Sequence, residues 1–341
     1  MSKTSDVPAD DAPASPTTTL SATSPSTSPP RAPSGVAGAR FCTARRCAPR
    51  VVSPTMCCPP EMSHLSLRGG DDGSTTVDVE DVVDDARGRV HSIENFTAVD
   101  GHGIRCIVFA QGCEKRCAFC CNVDSQSRDA AAGTPTTARA IVDALRRNLR
   151  YYARSGGGVT VSGGECMLQP SFVEAIARGA KSLGLTACID TAAAGDEDAW
   201  RRVLPTIDLA LLCVKSVDPV KYRRITGAKT NEEYQTMRAF LRALDEHGVE
   251  TWLRFVLMTD RSDAFVEYAT NGEKDLTALA ELAKAHACVR GIELLPYHRF
   301  GEYKFASMGF KYKLEGMTTP TAEEVDAAMA FLKSLGVDVI C

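Results

Sequence analysis

The chain has 341 residues, with 39 Lys and Arg against 43 Asp and Glu, for a formal net charge of −4. That length accommodates one large core plus a tail, and the charge balance excludes a global basic field for nucleic acid. No run of about eighteen apolar residues is present, so no segment reads as a membrane-spanning helix.

Residues 1–87 read as an extension. Ser, Thr, Pro and Ala dominate 12–38, and no apolar periodicity offsets the entropy of ordering them. Ala12–Pro60 holds no acidic residue but carries Arg31, Arg40, Arg45, Arg46 and Arg50. That composition is expected of a chloroplast or mitochondrial transit peptide. Asp6, Asp10 and Asp11 depart from it, and without import the protein would be cytoplasmic. The acidic run VDVEDVVDDA (77–86) reads as a linker to a domain over 88–341. Of the 14 cysteines, Cys106, Cys188, Cys213 and Cys288 fall inside or directly beside expected strands or helices. Buried thiols in a reducing compartment fit that scatter better than a disulfide framework. Cys42, Cys47, Cys57 and Cys58 belong to the extension and are not expected to be ligands.

Beyond Gly88, strand-like runs alternate with helical periodicity. Strands are expected at 106–110, 159–163, 185–190, 209–214, 251–258 and 292–296. Helices are expected at 136–152, 171–184, 196–204, 231–248, 276–287 and about 321–335. Pro135 precedes the first helix, Asn231 is placed as an N-cap, and Gly184 and Gly248 close two others. Six βα units predict an α/β fold with a parallel sheet, an incomplete (β/α)6 barrel, with the last helix over one edge.

Directly after the first of these strands stands QGCEKRCAFCCN (111–122), which spaces Cys113, Cys117 and Cys120 as C-x3-C-x2-C. Three thiolates can hold three irons of a [4Fe–4S] cluster, whose full complement is four. One iron then stays open to a small molecule, as in open catalytic metal sites. Spacing alone also allows zinc or disulfides, although no second C-x2-C or H-x3-H closes a zinc site. Ligands of such barrels bind at the C-terminal ends of the strands. There stand Ser162, Gly163, Gly164 and Glu165, then Asp190 and Thr191, then Lys215, with Arg254 in the fifth strand and His298 after the sixth. Paired glycines let backbone groups approach a ligand closely. SGGE by itself reads more readily as an ordinary strand-to-helix turn.

The cysteine motif, together with the blocks 88–125, 155–169, 187–191, 249–256, 292–305 and 308–317, resembles the radical S-adenosylmethionine (SAM) enzymes. VDGHGIR (99–105) and IELLPYH (292–298) are similar to the pyruvate formate-lyase activating branch, and the likeness covers about 88–340. The resemblance implies the barrel fold, a [4Fe–4S] cluster on Cys113, Cys117 and Cys120, and SAM on the open iron. It implies that Ser162, Gly163, Gly164, Glu165, Asp190, Thr191, Lys215, Arg254 and His298 hold SAM. Reductive cleavage of SAM would give a 5′-deoxyadenosyl radical, which takes a hydrogen atom from a glycine of a partner enzyme. Pyruvate formate-lyase is the foremost expected partner. Beyond cluster and SAM, no catalytic side chain is expected. Asp100, Gly101, Gly103 and Arg105 are expected to grip the partner's glycine loop, unless they form only a structural turn. An electron donor such as flavodoxin or ferredoxin is implied; nucleic acid and membrane are not. A radical SAM enzyme acting on a small molecule, or a non-enzymatic iron–sulfur or zinc protein, remain the alternatives. The short span from Asn122 to Val161 has no room for the ferredoxin-like module inserted there in several other activases.

Four positions depart from the pattern of that branch. Cys121 stands where a histidine is usual, and its side chain is expected to point away from the cluster. Cys213 replaces an aspartate that helps bind a monovalent cation. Ala192–Ala193 replace Asn–Gly, and His102 replaces a proline.

Overall fold

The structure, a computed structural model, describes residues 85–340. The Arg-bearing segment, its four cysteines and nearly all of the acidic linker lie outside the described residues. Among the described residues, nine strands form one sheet in the order β3-β1-β2-β4-β5-β6-β7-β8-β9. The parallel strands are β2 (Arg105–Ala110), β4 (Gly158–Gly163), β5 (Thr186–Thr191), β6 (Leu209–Cys213), β7 (Glu250–Leu257), β8 (Val289–Pro296) and the two-residue β9 (Val339–Ile340). Antiparallel β1 (Arg87–Thr97) and β3 (Thr134–Thr137) form the other edge. The edge strands β3 and β9 do not pair with each other, so the barrel is open.

Strand alternation builds two interiors. Val159 and Val161, Ala187 and Ile189, Ala210 and Leu212, and Leu253 and Phe255 point outward into the main core under the helices. Cys188, Leu209 and Leu211 form a separate cluster with Trp252 on the inner face. Successive side chains must point to opposite faces. The same parity therefore aims Ser162, Asp190, Cys213, Arg254 and Glu293 into the barrel.

The helices lie where periodicity places them, with differences that have local causes. The 136–152 stretch is two helices, α1 (Ala138–Arg147) and α2 (Leu149–Ser155), broken at Asn148. Thr137 caps α1, and Gly156, left-handed at φ 69°, ends α2. Then come α3 (Pro170–Ser182), α4 (Glu197–Val203), α5 (Pro219–Thr226), α6 (Glu232–Glu246), α7 (Glu273–Lys284), α8 (Glu302–Ser307) and α9 (Ala322–Ser334). Asn231 precedes α6 as expected, but its side chain makes no capping bond. Thr321 and Glu324 close a capping box on α9. The strands β1, β3 and β9 and the helices α5 and α8 are additions to the sequence reading. Register shifts at Val90/Ser92 and Glu94/Thr97 interrupt the alternation of β1. Edge strand β3 contains Pro135, and α5 is only eight residues long.

The loop before β2 enters the N-terminal end of the barrel. Thr160 Oγ1 donates to the Asp100 carbonyl at 2.7 Å, and Arg254 Nη2 donates to the Val99 carbonyl at 3.1 Å. His102 meets Trp252 edge-on, with ring centroids 4.8 Å apart.

Candidate functional site

The cluster loop after β2 is pinned by backbone bonds on three sides. Gly112 N donates to Ser125 O at 2.8 Å, and Cys113 N to Gln126 O at 3.2 Å. Arg116 N and Ala118 N donate to Thr226 O and Ile225 O at 2.7 and 2.8 Å. From the β4 turn, Gly164 N reaches Ala110 O at 2.9 Å, and Glu165 N reaches Gly112 O at 2.8 Å. The two glycines are needed for this approach. A Cβ on Gly163 would lie 2.2 Å from Ala110 N, and one on Gly164 2.3 Å from Gly112 O.

These contacts surround a cavity of about 450 Å³ at the C-terminal ends of the strands. Cys113, Cys117 and Cys120 line it, with Ser162, Gly163, Gly164, Asp190, Thr191, Lys215, Arg254 and His298 from the rim and Asp100 from the N-terminal side. The three cysteines are free thiols. Burial and the neighbouring Cys117 push Cys113 up to about 12, and the same two causes push Cys120 up to about 11. Among the described residues, no three His, Cys, Asp or Glu side chains converge tightly enough to hold a single metal ion. Three free thiols lining one cavity fit the three ligated irons of a [4Fe–4S] group, with the fourth iron left open.

The cavity floor is a charge network. Arg254 Nη1 lies 2.9 Å from Asp100 Oδ1 and 3.2 Å from Asp190 Oδ2, while Nε lies 2.6 Å from Glu293 Oε2. Ser162 Oγ donates to Asp190 Oδ2 at 2.7 Å, and Cys213 Sγ to Asp190 Oδ1 at 3.5 Å. Burial pushes Cys213 up to about 12, so it faces Asp190 as a neutral thiol. Burial also raises the Asp100 and Glu293 carboxyls, and Arg254 opposes that shift. Three carboxylates thus share one guanidinium. Lys215, on the wall, sits 5.4 Å over the Phe119 ring.

Several expected positions stand elsewhere. Glu165 is 1 % exposed and does not line the cavity. Its carboxylate accepts from Thr191 Oγ1, from Ala192 N at 2.8 Å and from Met167 N at 3.1 Å, so it ties β4 to β5. Arg105, also 1 % exposed, cannot grip a partner. Its guanidinium is spent on Thr160 Oγ1, Thr186 Oγ1, His102 O and Val159 O, at 2.6–2.9 Å. Gly101 and Gly103 are left-handed, at φ 112° and 70°, and shape the same turn. Of this group only Asp100 reaches the cavity. Cys121, expected to point away, is on the cavity wall.

Two participants were not singled out from the sequence. Lys115, 3 % exposed, donates from Nζ to Ala193 O and to Glu114 Oε1, both at 2.9 Å. Nothing in the sequence marks it. Glu293 was visible as a lone acid inside the apolar IELLP strand.

Comparison with known proteins gives this site its family. Residues 99–195 match the model of a 4Fe–4S single cluster domain. The pyruvate formate-lyase-activating enzyme of Clostridium pasteurianum is 38% identical over 248 residues, spanning 73% of this chain and 98% of that protein. The chain belongs to the pyruvate formate-lyase-activating enzyme family. The corresponding enzyme of Staphylococcus aureus (strain USA300) is 35% identical over 256 residues, 73% of this chain and 97% of its own. A radical SAM methyltransferase of known structure from Sphaerobacter thermophilus shares the fold, with a TM-score of 0.51 at 13% identity over 74% of this chain and 76% of its own. The cluster of this family is a [4Fe–4S] centre, and the matched span includes Cys113, Cys117 and Cys120. Among the described residues, no helix is long and apolar enough to cross a membrane.

Proposed function

We propose that this protein uses a [4Fe–4S] cluster and SAM to install a glycyl radical on a partner enzyme, and that the partner is pyruvate formate-lyase. The observation that carries this reading is the single cavity shared by three free cysteines, the SGG turn and the carboxylate floor. When bound, the cluster supplies the one electron that breaks the C5′–S bond of SAM. Cys113, Cys117 and Cys120 would hold it, and each thiol must lose its proton to do so. SAM brings an ammonium, a sulfonium and a carboxylate. The excess of acid around Arg254 favours the two cationic groups, and Lys215 is placed for the carboxylate. Ser162 and Arg254 hold Asp190 in one orientation. Phe109, Val256, Leu295 and Pro296 supply apolar wall and exclude water. Asp100, facing the same cavity from the N-terminal side, is the remaining candidate for contact with the partner's glycine loop.

The test is SAM cleavage by anaerobically reconstituted protein under dithionite. Cys113→Ala, Cys117→Ala and Cys120→Ala should each abolish cleavage, whereas Cys121→Ala should not. Protein that takes up zinc stoichiometrically and no iron would end the reading. The Arg-bearing, acid-free composition of 12–60 supports import into an organelle. A fluorescent fusion of residues 1–87 should leave the cytosol, and one that stays there removes that part.

A further inference from the structure

We infer that the outer face of the cluster loop, where Arg116, Lys311 and Lys313 surround Cys117, docks an acidic one-electron carrier protein. The inference rests on the proposed function, because only a reaction that consumes an electron needs such a carrier.

A groove of about 140 Å³ separates the cluster loop from the segment after β8. Cys117 and Gln126 line both this groove and the inner cavity. One expected cluster ligand is therefore a shared wall between the surface and the site.

The charge around the groove has one sign. Arg116, Lys311 and Lys313 are exposed, and no ion pair engages them among the described residues. Arg116 Nη1 is held by Cys113 O and Lys115 O, both at 2.8 Å, so one of the cations is fixed to the cluster loop itself. Acids on the flanking segments are mostly paired, Glu315 being exposed without an ion pair among the described residues. Asp124 lies 2.9 Å from Lys304, Glu302 2.7 Å from Arg299, and Glu114 2.9 Å from Lys115. In a chain of net charge −4 this face is not a consequence of composition. Phe310, 51 % exposed, lines the groove together with Phe305 and supplies an apolar centre. An apolar centre with a charged rim is the anatomy of a protein interface. Electron-transfer encounters sit at the small end of interface size and are steered by complementary charge.

The carrier gives up one electron, which is accepted at the cluster. No atom or proton need cross the interface. A carrier docked here leaves the mouth of the inner cavity free for SAM and for the radical-accepting partner.

The test uses the full-length protein, wild type, Lys311→Glu/Lys313→Glu and the milder Lys311→Gln/Lys313→Gln, with reduced flavodoxin as the acidic probe. Wild-type affinity for flavodoxin should fall as salt rises from about 50 to 500 mM. The double Glu variant should bind about tenfold or more weakly at low salt, with the Gln variant between. SAM cleavage driven by flavodoxin should fall in parallel, while cleavage driven by dithionite stays within about twofold of wild type. Unchanged flavodoxin affinity overturns the inference, as does an equal loss in the dithionite arm. Loss of the partner's glycyl radical under dithionite, with SAM cleavage intact, would give this face to the partner instead. Absence of dithionite-driven cleavage in wild type would fell the proposed function itself, and the docking surface with it.

Discussion

Lys115 Nζ donates to the backbone carbonyl of Ala193 at 2.9 Å. This bond joins the loop that carries the three cysteines to the loop that follows β5. The ammonium is buried, and burial alone would lower its pKa. Tyr222, Glu165 and Glu114 outweigh that and push it up, so the group stays charged.

Lys115→Met should uncouple the two loops. The Ala193 carbonyl would lose a charged donor, a loss of about 1.5–3 kcal/mol. Iron content after reconstitution should stay near wild type, while the dissociation constant for SAM rises about tenfold. Unchanged SAM affinity would show that the bond serves folding alone.

Ala193 is left-handed at φ 65° and fully buried. A non-glycine residue there costs about 1–2 kcal/mol. Glycine returns part of that gain as unfolded-state entropy, about 0.5–1 kcal/mol. Ala193→Gly should therefore stabilise the protein slightly, raising Tm by about 1–3 °C in a domain of this size. A calorimetric scan that shows a fall would contradict the backbone assignment at this loop.

Cys213 offers Asp190 a neutral thiol where the family resemblance implies a carboxylate, and Arg254 supplies positive charge on the same side chain. A thiol is a poor ligand for a hard alkali ion. SAM affinity of the wild type should be nearly indifferent to exchanging sodium for potassium, and Cys213→Asp should create a dependence. Titration of SAM in each salt checks this. Strong cation dependence in the wild type would mean that another group provides an alkali site.

Arg105→Met should lower stability by about 3 kcal/mol or more, because it strips donors from buried carbonyls of Val159 and Thr186. Asp100→Asn should change stability by about 1 kcal/mol or less, since burial already disfavours the charged carboxyl. It should nevertheless reduce radical transfer to the partner. Denaturant unfolding of the two variants separates the roles. Equal stability losses would contradict the division between a structural Arg105 and a cavity-facing Asp100.

The barrel was legible because buried parallel strands read as continuous apolar runs, and VTVSG and LALLC are such runs. Polar residues within or just after those runs, Ser162, Asp190 and Arg254, then fall on the inner face by parity alone. Legibility failed where local rules are weak. β1 is polar and interrupted by register shifts, so its period of two is lost. Glu165 and Arg105 had the right residue type in the right motif, yet both are consumed by bonds to neighbouring strands. Pairing of that kind depends on strand order, which no local pattern encodes. Lys115 belongs to the same class. It sits in the middle of the cysteine motif, but its partner is 78 residues away.

This chain is expected to make a glycyl radical on pyruvate formate-lyase. The direct measurement is EPR of pyruvate formate-lyase incubated anaerobically with reconstituted protein, SAM and a reductant. A glycyl doublet should appear with the wild type and be absent with Cys117→Ala. SAM cleavage without any glycyl signal on pyruvate formate-lyase or on its glycine-loop peptide would rule out this partner and assign the radical to a different substrate.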